Sequence, residues 1–187
     1  MRFPPIVFLV TIGLLSSSEQ PREGQAGRPI AACDLLQAAT NWNGRMVHVR
    51  GILERGDSED GPWVGGQCRA HIEVAGRKFP DGILLQASGN LGALMHPVDF
   101  NTDENALGEM QALWQRVDEK KEHVIGTVVG VFETRSPLTE LIQENRPFPW
   151  NGFGHLGGSP AQIIVKTITD MHIVPNHKRY PSAHGAS

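Results

Sequence analysis

Residues 122–133 (EHVIGTVVGVFE) form the longest run of β-branched and aromatic residues in the 187-residue chain. Such residues favour the pleated surface of a β-strand. Apolar side chains fall on both faces of this predicted strand: Val124, Val128 and Phe132 on one, Ile125, Val129 and Val131 on the other. A strand of this kind is covered on both sides. Gly126 and Gly130 indicate sharp coiling or close backbone approach, as in a small closed barrel.

Alternation of apolar and polar residues predicts three further strands, at residues 45–54, 67–74 and 161–174, and the apolar run at residues 83–87 predicts a short buried strand. The segment between the first two, residues 55–66, is polar and rich in glycine, which favours a long turn. In the last strand the alternation slips around Thr167 and Ile168, which predicts a β-bulge.

Two segments show helical periodicity. Residues 31–40 favour a short N-terminal helix, and residues 102–121 favour an amphipathic helix with apolar residues at three- and four-residue spacing. Asn101 and Glu104 have the spacing of a capping box at the start of the second helix.

The predicted order is therefore helix, three strands, helix and two strands, and at this point the chain resembles a known family. It resembles the OB-fold in its opening segment VHVRG (residues 47–51), in its GTVVG run (126–130) and in its closing strand 163–174. It is also similar to small exported bacterial OB-type proteins without an assigned activity. The resemblance implies a mainly β fold: a five-stranded Greek-key barrel with a helix between strands 3 and 4.

The N-terminal residues predict export. Residues 1–18 have one early positive charge, an apolar stretch IVFLVTIGLL and then three serines, which is typical of a secretory signal peptide. Residues 19–29 then form a flexible leader, residues 30–175 a single OB-like domain, and residues 176–187 a polar tail. We therefore expect a periplasmic or extracellular protein, with no transmembrane segment after cleavage of the signal peptide.

Export also affects how the two cysteines are interpreted. Cys33 and Cys68 are the only cysteines in the sequence, and oxidising compartments favour disulfides. We expect a Cys33–Cys68 bridge; two buried free thiols are the alternative.

OB barrels bind ligands on the face of strands 2 and 3 and with the loops after strands 1 and 4. Carried to this chain, that implies the loops 55–66 and 135–160 as a binding region. Candidate ligand-binding residues are Phe148, Trp150, Phe153 and His155 in the second loop, and Arg50 and Arg69 on the barrel face. Aromatic side chains on a loop suit stacking against sugars or bases. The alternative is that the loop folds back and closes one end of the barrel.

Net charge and short motifs bear on three further classes of function: nucleic-acid binding, metal binding and catalysis. The formal net charge is −3 with acids and bases interspersed, so that nucleic acid is not expected as a partner. His48, His71 and Glu73 lie on polar faces of predicted neighbouring strands and are candidate zinc ligands. An ordinary cross-strand pair of exposed polar residues is the commoner explanation, and no cofactor is predicted. The sequence has no nucleophile-elbow motif.

The sequence thus predicts a non-enzymatic exported module that binds a small ligand, a glycan or a protein through the barrel face and the 135–160 loop. One alternative is a structural or protein-interaction domain in which this loop is packed. The other is a metal-assisted enzyme that uses His48, His71 and Glu73.

Overall fold

A computed structural model describes residues 28–56, 61–66, 72–89, 95–143 and 150–176. The predicted signal peptide, most of the leader and nearly all of the polar tail lie outside these residues. The described helices and strands are β1 (Ile30–Ala31), α1 (Ala32–Gln37), α2 (Ala39–Trp42), β2 (Arg45–Glu54), β3 (Trp63–Gly65), β4 (Glu73–Val74), β5 (Arg77–Lys78), β6 (Ile83–Ala87), α3 (Glu104–Trp114), β7 (Glu122–Thr134) and β8 (Ala161–Pro175).

Five strands close into a mixed β-barrel. Strand β2 pairs with β3, β3 with β6, β6 with β8, β8 with β7, and β7 with β2 again. All of these pairings are antiparallel except that of β6 with β8, which is parallel. The prediction of a mainly β protein with a closed barrel is therefore confirmed, and the barrel is compatible with an OB-like fold.

The barrel is closed by long strands whose alternation matches the predicted one. Val47, Val49 and Leu53 of β2 face the core, and they lie opposite inward-facing positions of β7 such as Val128. Val128 and Phe132 are completely buried. Two register shifts interrupt the pairing of β7 with β8, and one lies between Val129 and Gly130, opposite Thr167 and Val165. The bulge predicted in the last strand is thus confirmed at that position.

The second barrel strand is not where alternation placed it. Strand β3 is Trp63–Gly65, inside the segment 55–66 that was expected to be a turn. Glu73 and Val74, the end of the predicted strand 67–74, instead form a two-stranded hairpin with Arg77–Lys78, while residues 67–71 lie outside the described part. Three residues among glycines are too few to show a periodicity, which is why the pattern missed β3.

The helices are shorter than their apolar periodicity suggested. The N-terminal helix is split into α1 and α2, and α3 ends at Trp114, where its indole Nε1 donates a hydrogen bond to the carbonyl oxygen of Leu53 (2.8 Å). The capping prediction was wrong in its residue. Asp103, rather than Asn101, is the N-cap of α3, and its carboxylate accepts hydrogen bonds from the amides of Asn105 and Ala106.

Close strand contacts explain the two glycines of β7. A Cβ atom built on Gly130 would lie 2.2 Å from the carbonyl oxygen of Ile164, which is a main-chain atom that cannot turn aside. At Gly126 the nearest atoms belong to the side chains of Leu53 (2.9 Å) and Met171 (3.0 Å). The prediction of close approach at both glycines agrees with these distances.

Cys33 is half-buried on α1, and a Cβ atom built on Gly66 would lie 3.4 Å from its sulfur. The described residues contain no free thiol. Cys68 lies outside the described residues, so that its pairing with Cys33 stays a prediction.

Candidate functional site

The outer wall of the barrel carries a cleft of about 620 Å³ between β2, β3 and the segment that leads into β6. The short 3₁₀ turn His155–Gly157 borders the cleft from the 135–160 loop. Its described lining residues combine glycine, one tryptophan and polar side chains of both signs: Ile52, Glu54, Arg55, Gly56, Trp63, Gly65, Gly66, Pro80, Asp81, Gly82, His123, His155, Gly158 and Asn176.

Strand alternation directs these side chains outward. Leu53 and Val64 point into the core and are buried, so that their neighbours Ile52, Glu54 and Trp63 face the cleft. Glu54 and Trp63 are direct cross-strand partners in the β2–β3 pair. The wall of the cleft is therefore a consequence of the register between these two strands.

Glycine keeps the floor of the cleft low. A Cβ atom built on Gly82 would lie 2.7 Å from the indole ring of Trp63, so that only glycine lets the ring lie against this backbone. A Cβ atom on Gly65 would lie 3.7 Å from the carbonyl oxygen of Asp81 and 4.0 Å from a carboxylate oxygen of Glu54. These distances place the Glu54 carboxylate and the main chain of Asp81 beside the same point of the floor.

The described aromatic rings of the 135–160 loop, those of Trp150 and Phe153, are packed against other parts of the protein. Trp150 makes an edge-to-face contact with the buried Phe79 (centroids 4.8 Å apart), and the Arg77 guanidinium lies 5.6 Å from its ring centre. Phe153 is only 6% exposed and lies under the guanidinium of Arg135. The alternative prediction, a loop packed on the barrel, describes these two residues better than free stacking rings.

The tip of the same loop reaches the cleft. His155 is exposed and lines it. The next residue, Leu156, is 49% exposed with φ of 54°, a left-handed conformation that is uncommon for a residue with a branched side chain. Hydrogen bonds from Gly157 to the Gly154 carbonyl and from Gly152 to the Gly157 carbonyl hold this tip. Within its described residues, the loop therefore contributes its tip to the cleft, and not the rings of Trp150 and Phe153.

The other candidate residues are scattered. Arg50 lies on the outer face of β2 and donates a hydrogen bond from Nη1 to the hydroxyl of Thr127 (3.1 Å), so that it braces the β2–β7 pair. Phe148 and Arg69 lie outside the described residues. Of the four predicted ligand-binding residues that the structure describes, His155 is the one that lines the cleft.

The zinc candidates are not brought together in the described part of the chain. His48 lies opposite Val129 of β7, and Glu73 lies opposite Lys78 in the β4–β5 hairpin. His71 lies outside the described residues. Among the residues that the structure describes, no group of three or more histidine, cysteine, aspartate and glutamate side chains could hold a metal ion.

Sequence reasoning missed Glu54, Trp63, Asp81 and His123 as cleft residues. The available signal was the tryptophan in the segment GPWVGG, where one valine between a tryptophan and glycines can face a core. This tryptophan indicates a cleft residue only if β3 is known to lie at residues 63–65, and alternation did not predict a strand there.

Comparison of the chain with protein-family models, with curated proteins and with solved structures gives no match. The similarity to exported bacterial OB-type proteins therefore has no support from relatives. Within the described residues, no helix has the length and apolar character needed to cross a membrane.

Proposed function

We propose that this protein is a non-enzymatic OB-like module, exported from the cytoplasm, that binds a neutral polyhydroxylated ligand such as a glycan in the cleft beside Trp63. Strand order and the parallel β6–β8 pair support the OB-fold assignment, as does the position of α3 between β6 and β7 along the chain. In such barrels the face of strands 2 and 3 and the loops after strands 1 and 4 bind ligands. The cleft includes the second barrel strand, β3, and residues of both loops, 55–66 and 135–160.

The observation that carries the proposal is the composition of the cleft lining. Carboxylates (Glu54, Asp81), a guanidinium (Arg55) and an amide (Asn176) surround one indole ring and a glycine floor. Hydroxyl groups both donate and accept hydrogen bonds, so that a sugar can use acids, bases and amides together. The apolar face of a sugar ring suits an aromatic surface. A lining of both signs gives a polyanion no clustered positive charge.

Packing of Trp150 and Phe153 favours a second candidate, a domain that binds a protein partner. In that case the loop is structural and the cleft is one part of a larger contact surface. The two candidates differ in the size of the ligand that the cleft recognises.

The test is a two-dimensional NMR titration of the full chain with neutral oligosaccharides, short oligonucleotides and short peptides. We expect oligosaccharides alone to shift signals, with the Trp63 indole and the Gly65 and Gly82 amides shifting most. Asp81→Asn and His155→Gln should weaken binding, whereas Glu109→Gln, on the exposed face of α3, should not. Shifts caused only by peptides would favour the protein-binding candidate, and shifts away from the cleft would refute the site.

A further inference from the structure

Two exposed methionines lie near one histidine on the barrel wall at the end of β7. Among the described residues, the exposed large apolar side chains are Met46 (38%), Met95 (39%) and Leu156. Leu156 lies at the tip of the 135–160 loop described above. Core packing does not explain the two methionines, because both are exposed.

A buried carboxylate fixes His96. Glu133 is completely buried, and one carboxylate oxygen accepts hydrogen bonds from the His96 amide (2.6 Å) and from the ring Nδ1 (3.2 Å). The amide of Met95 and the side-chain amide of Gln162 also donate to this carboxylate (3.0 and 2.6 Å). Since a carboxylate only accepts, we assign the ring proton to Nδ1, which leaves a lone pair on Nε2.

The face of the His96 ring lies over Gly44. A Cβ atom built on Gly44, whose φ is +72°, would lie 3.2 Å from Nε2, 3.4 Å from Cδ2 and 3.6 Å from Cε1. The side chain of His96 is 40% exposed, so that the ring is accessible to solvent. Glycine at this turn therefore makes room for the imidazole at the start of β2.

Strand register places Met46 beside the same group. Met46 lies directly opposite Val131, and Glu133 follows Val131 by two residues on the same face of β7. Met46 and Glu133 are therefore diagonal neighbours, roughly 7–8 Å apart at the backbone and within reach of long side chains. Met95 is attached to Glu133 through its own amide. Backbone register and these hydrogen bonds thus bring Met46, Met95 and His96 to the end of β7 that carries Glu133.

Together these donors form a soft, uncharged ligand set. Thioether sulfur selects Cu(I), and imidazole also binds copper well. The only carboxylate at this point, Glu133, is surrounded by hydrogen-bond donors from Met95, His96 and Gln162. Its role is that of the carboxylate that orients a metal-bound histidine from behind. We propose that Met46, Met95 and His96 bind one Cu(I) ion, with Glu133 as a positioning residue.

The experiment measures Cu(I) binding by the full chain in competition with a chromogenic Cu(I) chelator, with free thiols blocked by alkylation. We expect one equivalent to be retained. Met46→Leu with Met95→Leu should weaken retention by more than 100-fold, and so should His96→Gln, because each removes direct ligands; loss of an orienting partner alone costs roughly 10–100-fold. Matched controls are Met171→Leu and His172→Gln, which should retain the ion as the original chain does.

A second measurement reports position. In NMR spectra of chains with labelled methionine methyl groups, Ag(I), which resembles Cu(I) without its redox chemistry, should shift the Met46 and Met95 methyl signals and leave Met110 unchanged. The proposal is overturned if the chelator strips all copper from the original chain, if the double methionine variant retains copper equally well, or if Zn(II) competes on equal terms.

Discussion

Polar side chains are used in opposite ways at two places on the outer wall of the barrel. Around Glu133 the protein supplies all the donors: two backbone amides, a glutamine amide and an imidazole surround a carboxylate that is completely buried. Around Trp63 the polar groups line an open cleft floored by glycine. The first cluster attaches the chain at residues 95–96 to the barrel, and the second lines the cleft that we propose as a ligand site. Covered polar groups on the barrel wall thus contribute to stability, and exposed ones are the candidates for recognition.

The sharpest way to break this comparison is to remove one carboxylate from each place. Glu133→Ala leaves the buried donors of Met95, His96 and Gln162 without their acceptor, so that we expect a loss of about 3–5 kcal/mol in the free energy of unfolding. Glu54→Ala removes an exposed carboxylate and should change that free energy by less than about 0.5 kcal/mol. Urea unfolding of the two variants measures both. Equal losses would show that the two carboxylates have the same role.

Removal of the predicted disulfide tests whether this bridge stabilises the wall of the cleft. Cys33 lies beside Gly66, a residue that lines the cleft. On the chain-entropy model, a Cys33–Cys68 bridge would stabilise the folded protein by roughly 3–4 kcal/mol, because it restricts the unfolded chain. We expect Cys33→Ala with Cys68→Ala to lose stability by that order and to broaden NMR signals from Gly65 and Gly66. Signals from residues 95–96 should stay sharp. Mass spectrometry of the alkylated chain shows whether the bridge exists, and two alkylated thiols in the unreduced protein would contradict it.

Substitution of the two glycines of β7 tests the β7–β8 pairing of the barrel. Gly130→Ala directs a methyl group at the main chain of β8, and we expect a loss of about 2–3 kcal/mol, near the upper end for overpacking. Gly126→Ala meets flexible side chains of Leu53 and Met171, and should cost about 1 kcal/mol. At either position, substitution by valine should lower the stability more than substitution by alanine. Melting temperatures provide the measurement, and an equal or reversed order would be incompatible with the β7–β8 register.

The smallest effect concerns Asp118, in the turn between α3 and β7, remote from both places. Hydrogen bonds from the Lys121 side chain and the Lys120 amide lower the pKa of its carboxyl below the ordinary value of 3.8. Because the pKa is lower in the folded state, this group stabilises the protein above its unfolded pKa, and the contribution is lost as the pH falls through the folded pKa. Asp118→Asn should therefore lower the melting temperature slightly at pH 7 and not at pH 2. An equal effect at both values would contradict the assignment.

Apolar patterns predicted the barrel well where a strand is long and alternating or is a continuous buried run. Residues 45–54 are the first kind and residues 83–87 the second, and both form strands with the predicted bounds; the slip near Thr167 was a true bulge. Strand β3 was not predicted, because three residues are too few to show a periodicity. Without β3, the position of the cleft could not be predicted either. The burial of Glu133 was not predicted for another reason. A glutamate at the end of a strand is expected in solvent, whereas residues 95–96, which are distant in the sequence, donate hydrogen bonds to this one. Contacts between distant segments are what local patterns cannot show.

Closure of the barrel by β2 and β7 has a consequence for how the chain folds. Arg50 and Thr127, which meet across this pair, are 77 residues apart in the sequence. Contacts of such separation pay a large loop-closure entropy before they stabilise anything, and proteins rich in them fold slowly. Until β7 has been synthesised, β2 has an unpaired edge with apolar residues, which invites association with other chains. We therefore expect the newly synthesised chain to need protection from association until residue 134 is available for pairing.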